Sequence, residues 1–273
     1  MPKLILTDVD RTIAMETGKI TDSSIFNAIQ TMQEKGWIIG VNSDTSFNRL
    51  NYIKQKFGFN GPIICERGNA VYLGRRDLAL YENYPVANQI AKIRLALIHL
   101  IQKFADDDIT VTIVRKKEDF DTLNEVRTAA PQIIMFDIRE YGFAFTLAFD
   151  YQGADPRIHP LFKKFVQAIN SFLKRNDCEN LIVETYDYAD FIQIFDHKSL
   201  KGSVIPELLQ YYQCQKTYMI GDSGFDNLRH PQVIQLGVGN AFPDYRPACQ
   251  FISEKEFSQG FIDCLNWIET NHK

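Results

Sequence analysis

Short apolar runs alternate with segments of helical periodicity in the first third of the chain. The predicted strands are 3–8, 37–41, 62–65 and 70–73. The predicted helices extend from Thr21 or Asp22 to Lys35 and over 46–57. Gly36 and Gly58 stand just after these helices, as glycine commonly does at helix ends. Because strands separated by helices pair in parallel with right-handed crossovers, this part of the chain predicts a parallel sheet.

The order of predicted strands and helices is different in the middle of the chain. Its predicted helices are 86–104, 118–129 and 158–174. Its predicted strands are 109–114, 132–138, 143–149, 181–186 and 190–195. Strands that follow one another without a helix between them favour an antiparallel or mixed sheet, so this part is interpreted as a separate α+β domain.

Predicted helices and strands alternate again in the final third of the chain. Helices are predicted over 202–213 and from about 255, and strands at 217–220 and 233–238. We therefore predict the α/β class, with a Rossmann-like parallel-sheet core interrupted by an inserted α+β domain. The expected boundaries are 1–81 and 195–273 for the core and 82–194 for the insert.

Two acidic motifs follow predicted core strands. The first is Asp8-Val9-Asp10-Arg11-Thr12. Because side chains alternate along a strand, Asp8 and Asp10 can point the same way, about 6.5–7 Å apart. One carboxylate can then attack phosphorus while the other protonates the leaving oxygen and later deprotonates water. The Thr12 hydroxyl can donate to a phosphoryl oxygen, although such a string alone is equally typical of a turn or a helix cap.

The second motif, Gly221-Asp222-Ser223-Gly224-Phe225-Asp226, supplies two further carboxylates. Asp222 and Asp226 lie four residues apart and can share Mg²⁺, which prefers oxygen ligands. Ser43 follows a strand and can bind phosphate, although a helix cap is the commoner role. Lys201 can neutralise a phosphoryl oxygen, with Lys198 a weaker candidate, although most lysines are solvated surface groups.

Composition excludes several classes of function. The net charge of −4 gives no general attraction to nucleic acid or to anionic membranes, and no apolar stretch approaches the roughly 20 residues of a membrane span. The N-terminal residues lack the apolar run of a signal peptide, and the five cysteines are scattered, so a reduced, cytoplasmic compartment is expected. The sequence does not specify an oligomeric state.

Taken together and in order, these motifs resemble the haloacid dehalogenase-like superfamily. The matching elements are Asp-x-Asp-x-Thr at 8–12, Ser43 after the second strand, Lys201, and Gly-Asp-x-x-x-Asp at 221–226. The insert between the second and third motifs resembles the large α/β cap of the Cof-like and sugar-phosphate phosphatase branches. The stretch 62–72 also resembles the Glu-Asn-Gly-Ala segment that leads towards that cap.

The resemblance implies a role for each matched residue. Asp8 is expected to be the nucleophile and a Mg²⁺ ligand. Asp10 is expected to be the general acid and base, with its carbonyl on the metal. The remaining implied roles are phosphate binding for Thr12 and Ser43, positioning of nucleophile and phosphate for Lys201, and Mg²⁺ binding for Asp222. Asp226 is expected either to bind Mg²⁺ or to orient a water molecule bound to it.

The chain departs from the superfamily pattern at three places. Arg11 stands where many relatives have Gly, Ser43-Asp44-Thr45 replaces a common Thr-Gly-Arg, and Arg67 replaces an Asn. The segment 42–45 is similar to the Ser-Ser-Lys-Thr of mannosyl-3-phosphoglycerate phosphatases, with Asp44 reversing a charge. These departures concern the identity of the substrate more than the type of reaction.

The sequence therefore predicts a Mg²⁺-dependent phosphomonoesterase acting on a small metabolite, either a sugar phosphate or a phosphorylated small acid. The cap is expected to exclude water and to contact the leaving group. One rival hypothesis is a phosphomutase acting on a sugar phosphate. Another is a non-catalytic sugar-phosphate-binding protein on the same scaffold, against which the intact acidic residues argue.

Overall fold

The computed structural model describes residues 3–15, 18–105, 108–115, 131–148, 155–185 and 191–271. Over these ranges the chain forms the strands β1 (Lys3–Thr7), β2 (Trp37–Asn42), β3 (Ile63–Cys65), β4 (Ala70–Tyr72), β5 (Ala79–Glu82), β6 (Thr110–Val114), β7 (Gln132–Phe136), β8 (Gly142–Ala148), β9 (Leu181–Thr185), β10 (Phe191–Asp196), β11 (Thr217–Gly221), β12 (Val233–Gly237) and β13 (Phe251–Ile252). The α-helices are α1 (Ile25–Glu34), α2 (Phe47–Phe57), α3 (Tyr84–Gln102), α4 (Pro160–Arg175), α5 (Ile205–Tyr212) and α6 (Phe257–Asn271).

The chain divides into two compact units. The first comprises Met1–Glu82 and Ser199–Lys273, and the second comprises Asn83–Lys198. The first unit contains an eight-stranded sheet in the order β13-β12-β11-β1-β2-β3-β4-β5. Its strands from β13 to β3 pair in parallel, and β4 and β5 add an antiparallel edge. The predicted α/β class with a parallel-sheet core is confirmed.

The second unit is built on a mixed sheet of five strands. Their order is β6-β7-β8-β10-β9, with β6 and β7 parallel and the other neighbours antiparallel. The α+β interpretation of this part is confirmed. The helix predicted over 118–129 lies outside the described residues.

Two helices begin at least three residues later than predicted. The helix expected from Thr21 or Asp22 begins at Ile25, because the Asp22 side chain accepts a hydrogen bond from Ser24 N at 2.9 Å and organises a turn before the helix. The helix expected from residue 202 begins at Ile205. Lys201 therefore lies in a turn in front of α5, and not at the opening of the helix as predicted. The short strands β5 and β13 were not predicted.

The core of the first unit fixes the elements that carry the polar motifs. Leu4 and Leu6 of β1, Met219 of β11, and Ile205 and Leu208 of α5 belong to one buried cluster. This packing holds the ends of β1 and β11 and the turn before α5 in a single rigid arrangement. Among the described residues, no helix combines the length and the apolar character that a membrane crossing requires.

Candidate active site

The two acidic motifs meet because their strands are neighbours. β1 pairs in parallel with β11, with Thr7 opposite Ile220, and Asp8 N donates a hydrogen bond to Ile220 O at 2.9 Å. Asp8 follows β1 directly, and Asp222 follows β11 directly. Parallel strands end at the same edge of a sheet, and that edge is where open α/β sheets bind ligands. More than two hundred residues of sequence thus separate two carboxylates that share one site.

Lys201 lies between two of the acids. Its Nζ is 2.7 Å from Asp8 Oδ1 and 2.7 Å from Asp226 Oδ1, and all three side chains are buried. The Asn42 side-chain amide donates to Lys201 O at 3.2 Å and ties the turn to the end of β2. A buried ammonium with two carboxylate partners holds them together in a fixed geometry.

Asp226 uses both carboxylate oxygens within the described structure. Oδ1 accepts from Lys201, while Oδ2 accepts from the backbone N–H groups of Asp222 and Ser223, each at 3.0 Å, and from Ser223 Oγ at 3.2 Å. These bonds shape the loop that presents Asp222. Asp226 thus fixes the backbone of the loop that carries Asp222 and Ser223, in addition to pairing with Lys201.

Gly221 is a point of this loop where the backbone packs directly against the Asp226 side chain. A Cβ at position 221 would lie 2.5 Å from Asp226 Oδ2, well inside van der Waals contact. We expect Gly221→Ala to displace the Asp226 carboxylate, to lower stability by about 1–3 kcal/mol and to reduce activity at least tenfold. Thermal unfolding and turnover measure the two effects. Gly36→Ala provides a control, because nothing lies within 4 Å of a Cβ there and only the positive φ of 84° opposes the change. Unchanged activity in Gly221→Ala would contradict the role given to Asp226.

Asp8, Asp222 and Asp226 can act together as ligands for a cation. Each offers a carboxylate oxygen, these oxygens lie within 4.8 Å of one another, and all three residues are buried. Clustered carboxylate oxygens suit a hard divalent cation such as Mg²⁺, which commonly completes its shell with water and substrate phosphate. The donor set therefore fits the metal expected from the sequence.

Burial controls the protonation of the cluster. It raises the pKa of Asp8 well above the usual range, Lys201 opposes this shift, and the carboxylates of Asp226 and Asp222 add to it. Burial and Asp226 raise the pKa of Asp222 to about 7, against the opposing effects of Arg11 and Lys201. Burial also lowers the pKa of Lys201, but Asp226 and Asp8 more than offset that effect and raise it well above the usual range. The site concentrates negative charge that a cation would neutralise.

Asp10 and Thr12 lie beside this cluster with partners of their own. Both oxygens of Asp10 accept from Arg49, Oδ2 from Nη1 at 2.9 Å and Oδ1 from Nη2 at 2.6 Å. Thr12 is buried and its Oγ1 lies 3.4 Å from Asp222 Oδ1. Arg11 Nε donates to the other Asp222 oxygen at 3.0 Å. The Asp-x-Asp-x-Thr motif thus contacts the second acidic motif directly.

Ser43 and its neighbours extend the polar edge along β2. Ser43 is buried, and its N–H donates to Ile64 O at 3.1 Å just beyond the end of β2. Asp44 accepts from Arg67 Nε at 3.1 Å, and its other oxygen lies 3.9 Å from Lys201 Nζ. Arg67 therefore adds a positive charge to the network that surrounds Lys201.

Lys198 does not share this environment. Its side chain is exposed, and its backbone N–H donates to Asp196 Oδ1 at 2.8 Å. Of the two lysines considered from the sequence, Lys201 is the one that the structure brings to the acidic cluster.

A family model for haloacid dehalogenase-like hydrolases matches residues 5–262. The chain belongs to this family. The superfamily expected from the four motifs is confirmed. Among curated proteins, the phosphoglycolate phosphatase of Sulfolobus acidocaldarius is 36% identical over 73 residues. That match spans 26% of this chain and 32% of the relative, so it covers about a third of that protein's length.

Solved structures share the fold over nearly the whole chain. A haloacid dehalogenase-like hydrolase from Bacteroides thetaiotaomicron is 16% identical, with 98% of this chain and all of that chain covered and a TM-score of 0.69. The sucrose-phosphatase of Synechocystis sp. PCC6803, solved with sucrose and phosphate, is 12% identical, with 98% and 99% covered and a TM-score of 0.58. A sugar phosphatase of subclass IIB of the superfamily is 14% identical with the same coverage and TM-score. At these identities the similarity establishes the fold.

Sequence reasoning missed the arginines of this haloacid dehalogenase-like site. Arg49 was not considered at all, and Arg11 and Arg67 were noted only as departures from the superfamily pattern. One signal was available for Arg49. It lies in the first turn of a helix that follows a motif-bearing strand, a position where the helix dipole favours acidic residues over basic ones. A cation there indicates an anionic partner nearby.

Proposed function

We propose that the chain is a Mg²⁺-dependent phosphomonoester hydrolase that acts on a small phosphorylated metabolite through an aspartyl-phosphate intermediate. The observation that carries the proposal is the buried cluster in which Lys201 bridges Asp8 and Asp226 beside Asp222. Membership in the hydrolase family supports the reaction type. The names of the similar proteins, phosphoglycolate phosphatase and sucrose-phosphatase, support a phosphorylated small acid or a sugar phosphate as substrate.

Asp8 is the proposed nucleophile. Burial would keep its carboxyl protonated, and the Lys201 ammonium at 2.7 Å opposes this and favours the reactive carboxylate. A carboxylate oxygen of Asp8 forms a bond to phosphorus as the bond to the ester oxygen breaks. Lys201 keeps the nucleophile oriented and offsets negative charge as it develops on the phosphoryl group.

Asp10 is the proposed general acid and base. It gives a proton to the departing ester oxygen, which leaves as an alcohol. It then takes a proton from the water that attacks phosphorus, which releases inorganic phosphate and restores the Asp8 carboxylate. Thr12 and Ser43, both buried at the same sheet edge, are the proposed phosphate-binding hydroxyls.

Asp8, Asp222 and Asp226 would hold Mg²⁺, with the Asp10 carbonyl as a further proposed ligand. When bound, the cation would neutralise charge on the phosphoryl oxygens and on the carboxylates. We also propose that the second unit, which lies in the sequence between Ser43 and Lys201, is the cap domain of this enzyme.

A panel of metabolite phosphoesters tests the function. We expect phosphate release from at least one sugar phosphate or phosphorylated small acid in Mg²⁺, none after chelation, and recovery when Mg²⁺ is restored. Analysis of product isomers would reveal a phosphomutase. Tight binding without turnover in excess Mg²⁺ would instead indicate a sugar-phosphate-binding protein. Turnover that persists without any divalent cation would contradict the assignment of the metal site.

Thermal unfolding gives a second readout of the metal site that does not depend on activity. Adding Mg²⁺ to the chelated protein should raise its melting temperature, because a ligand bound only by the folded state stabilises it. Asp222→Asn should lose most of this shift. The matched control is Asp77→Asn, which changes an exposed acid and should keep the shift. An undiminished shift in Asp222→Asn would remove Asp222 from the metal site.

A further inference from the structure

Arg49 engages both oxygens of Asp10. The two hydrogen bonds of 2.9 Å and 2.6 Å run from the two terminal nitrogens of the guanidinium to the two oxygens of the carboxylate. A planar fork of this kind fixes the rotation of a carboxylate as well as its position, which a single point charge does not do. The orientation of Asp10 is therefore set by a residue outside the four motifs of the superfamily.

The position of Arg49 is set by a rigid element. It is the third residue of α2, and Leu50 and Ile53 on the same helix are buried. The helix starts a few residues beyond the end of β2, the strand that pairs with β1. Its first turn therefore lies at the sheet edge that carries Asp10. A guanidinium thus reaches the site from the first turn of the helix.

Stability alone does not account for the pair. The side chains of Arg49 and Asp10 are 34% and 33% exposed, and ion pairs with this much access to water contribute little to folding. A basic residue in the first turn of a helix is also opposed by the helix dipole. The Arg49–Asp10 pair therefore orients the Asp10 carboxylate while adding little to the stability of the fold.

We infer that Arg49 is a positioning residue for Asp10, a step that rests on the proposed function. Its guanidinium holds the carboxyl group in the plane from which one oxygen can face the departing ester oxygen. When Asp10 gives its proton to that oxygen as the phosphorus–oxygen bond breaks, the carboxylate formed is the species that Arg49 binds with both nitrogens. Loss of Arg49 should therefore matter most for leaving groups that need a proton.

The experiment compares two leaving groups in saturating Mg²⁺. One substrate is the most rapidly hydrolysed alkyl phosphate of the panel, which leaves poorly unless it is protonated. The other is p-nitrophenyl phosphate, which leaves well without a proton. We use kcat/KM because it reports the steps up to loss of the alcohol or phenol. Arg49→Gln should lower this value at least tenfold for the alkyl ester and no more than about threefold for the aryl ester.

Three further variants sharpen the test. Arg49→Lys keeps the positive charge but cannot donate two parallel hydrogen bonds to the carboxylate. Like Arg49→Gln, it should therefore lower kcat/KM for the alkyl ester much more than for the aryl ester. In an Asp10→Asn background, Arg49→Gln should add little further loss on that substrate, because coupled residues are not additive. Lys56→Gln removes an exposed charge from the same helix and should leave both substrates unaffected.

Several results would overturn the inference. Equal losses on the two substrates would make Arg49 a general phosphate-binding or structural residue, and unchanged kinetics would remove it from the reaction. Full recovery by Arg49→Lys would show that charge, not orientation, matters. If the unmodified protein released phosphate from neither substrate, the proposed function itself would fail and this inference with it. In the first three cases only the positioning role would fail.

Discussion

Asp8→Asn should lower the rate of phosphate release by roughly three orders of magnitude or more, because the proposed nucleophile is removed. The amide is nearly the same size as the carboxyl group and carries no charge. Burial disfavours the charged form of Asp8, so a neutral group is tolerated there, and Lys201 keeps Asp226 as its partner. The fold should therefore survive, with a melting temperature within a few degrees of the original protein.

The rate of phosphate release is measured with the best substrate of the panel, and the melting temperature is measured by circular dichroism. Asp77→Asn, the same change at an exposed acid, should leave both unaffected. Mass spectrometry of acid-quenched enzyme offers a direct view of the intermediate. A phosphoryl group should appear on Asp8 of the original protein and be absent from the variant. Near-normal turnover by Asp8→Asn would defeat the nucleophile assignment.

Lys201→Met should affect both stability and activity. The methionine side chain has a similar length but leaves Asp8 and Asp226 without the ammonium that lies 2.7 Å from each. Removing one partner of a buried ion pair typically costs about 3–5 kcal/mol, because the remaining charge is left without compensation in the interior. For a chain of this size the melting temperature should fall by roughly 10 °C, and turnover should be lost.

Lys198→Met is the matched control, since that lysine is exposed and three residues away in sequence. It should change neither the melting temperature nor the rate. Added Mg²⁺ should recover part of the stability of Lys201→Met, because a cation among the three acids replaces some of the missing positive charge. A melting temperature equal to that of the original protein would show that the ammonium does not hold the cluster together.

The extent of sequence-based prediction can be judged from particular elements. β1, β2, β11 and β12 are short apolar runs buried within a parallel sheet, and such runs are visible in the sequence without tertiary information. The edge strands β5 and β13 were missed. β13 has only two residues, and the residues of β5 are intermediate or exposed, so neither carries the apolar signal of a central strand.

The start of α5 shows why element boundaries are harder. Helical periodicity extends back to residue 202, yet the helix begins at Ile205. Gly202 packs so closely against the Leu228 backbone that a Cβ would lie 2.3 Å from Leu228 O. That contact joins segments more than twenty residues apart, so no local pattern reports it. The same turn places Lys201 where its Nζ reaches two carboxylates.

The sequence by itself determined the alternation of strands and helices, the α+β character of the insert and the chemical types in the polar motifs, because local spacing and side-chain chemistry carry those features. Only the tertiary structure decided which charges pair. The bonds from Arg49 to Asp10, from Arg11 to Asp222 and from Lys201 to Asp8 and Asp226 join residues 25 to 211 positions apart. Such pairs exist only after the parallel strands have brought their carboxyl ends to a common edge, and burial makes the two Lys201 pairs the ones whose disruption costs the most stability.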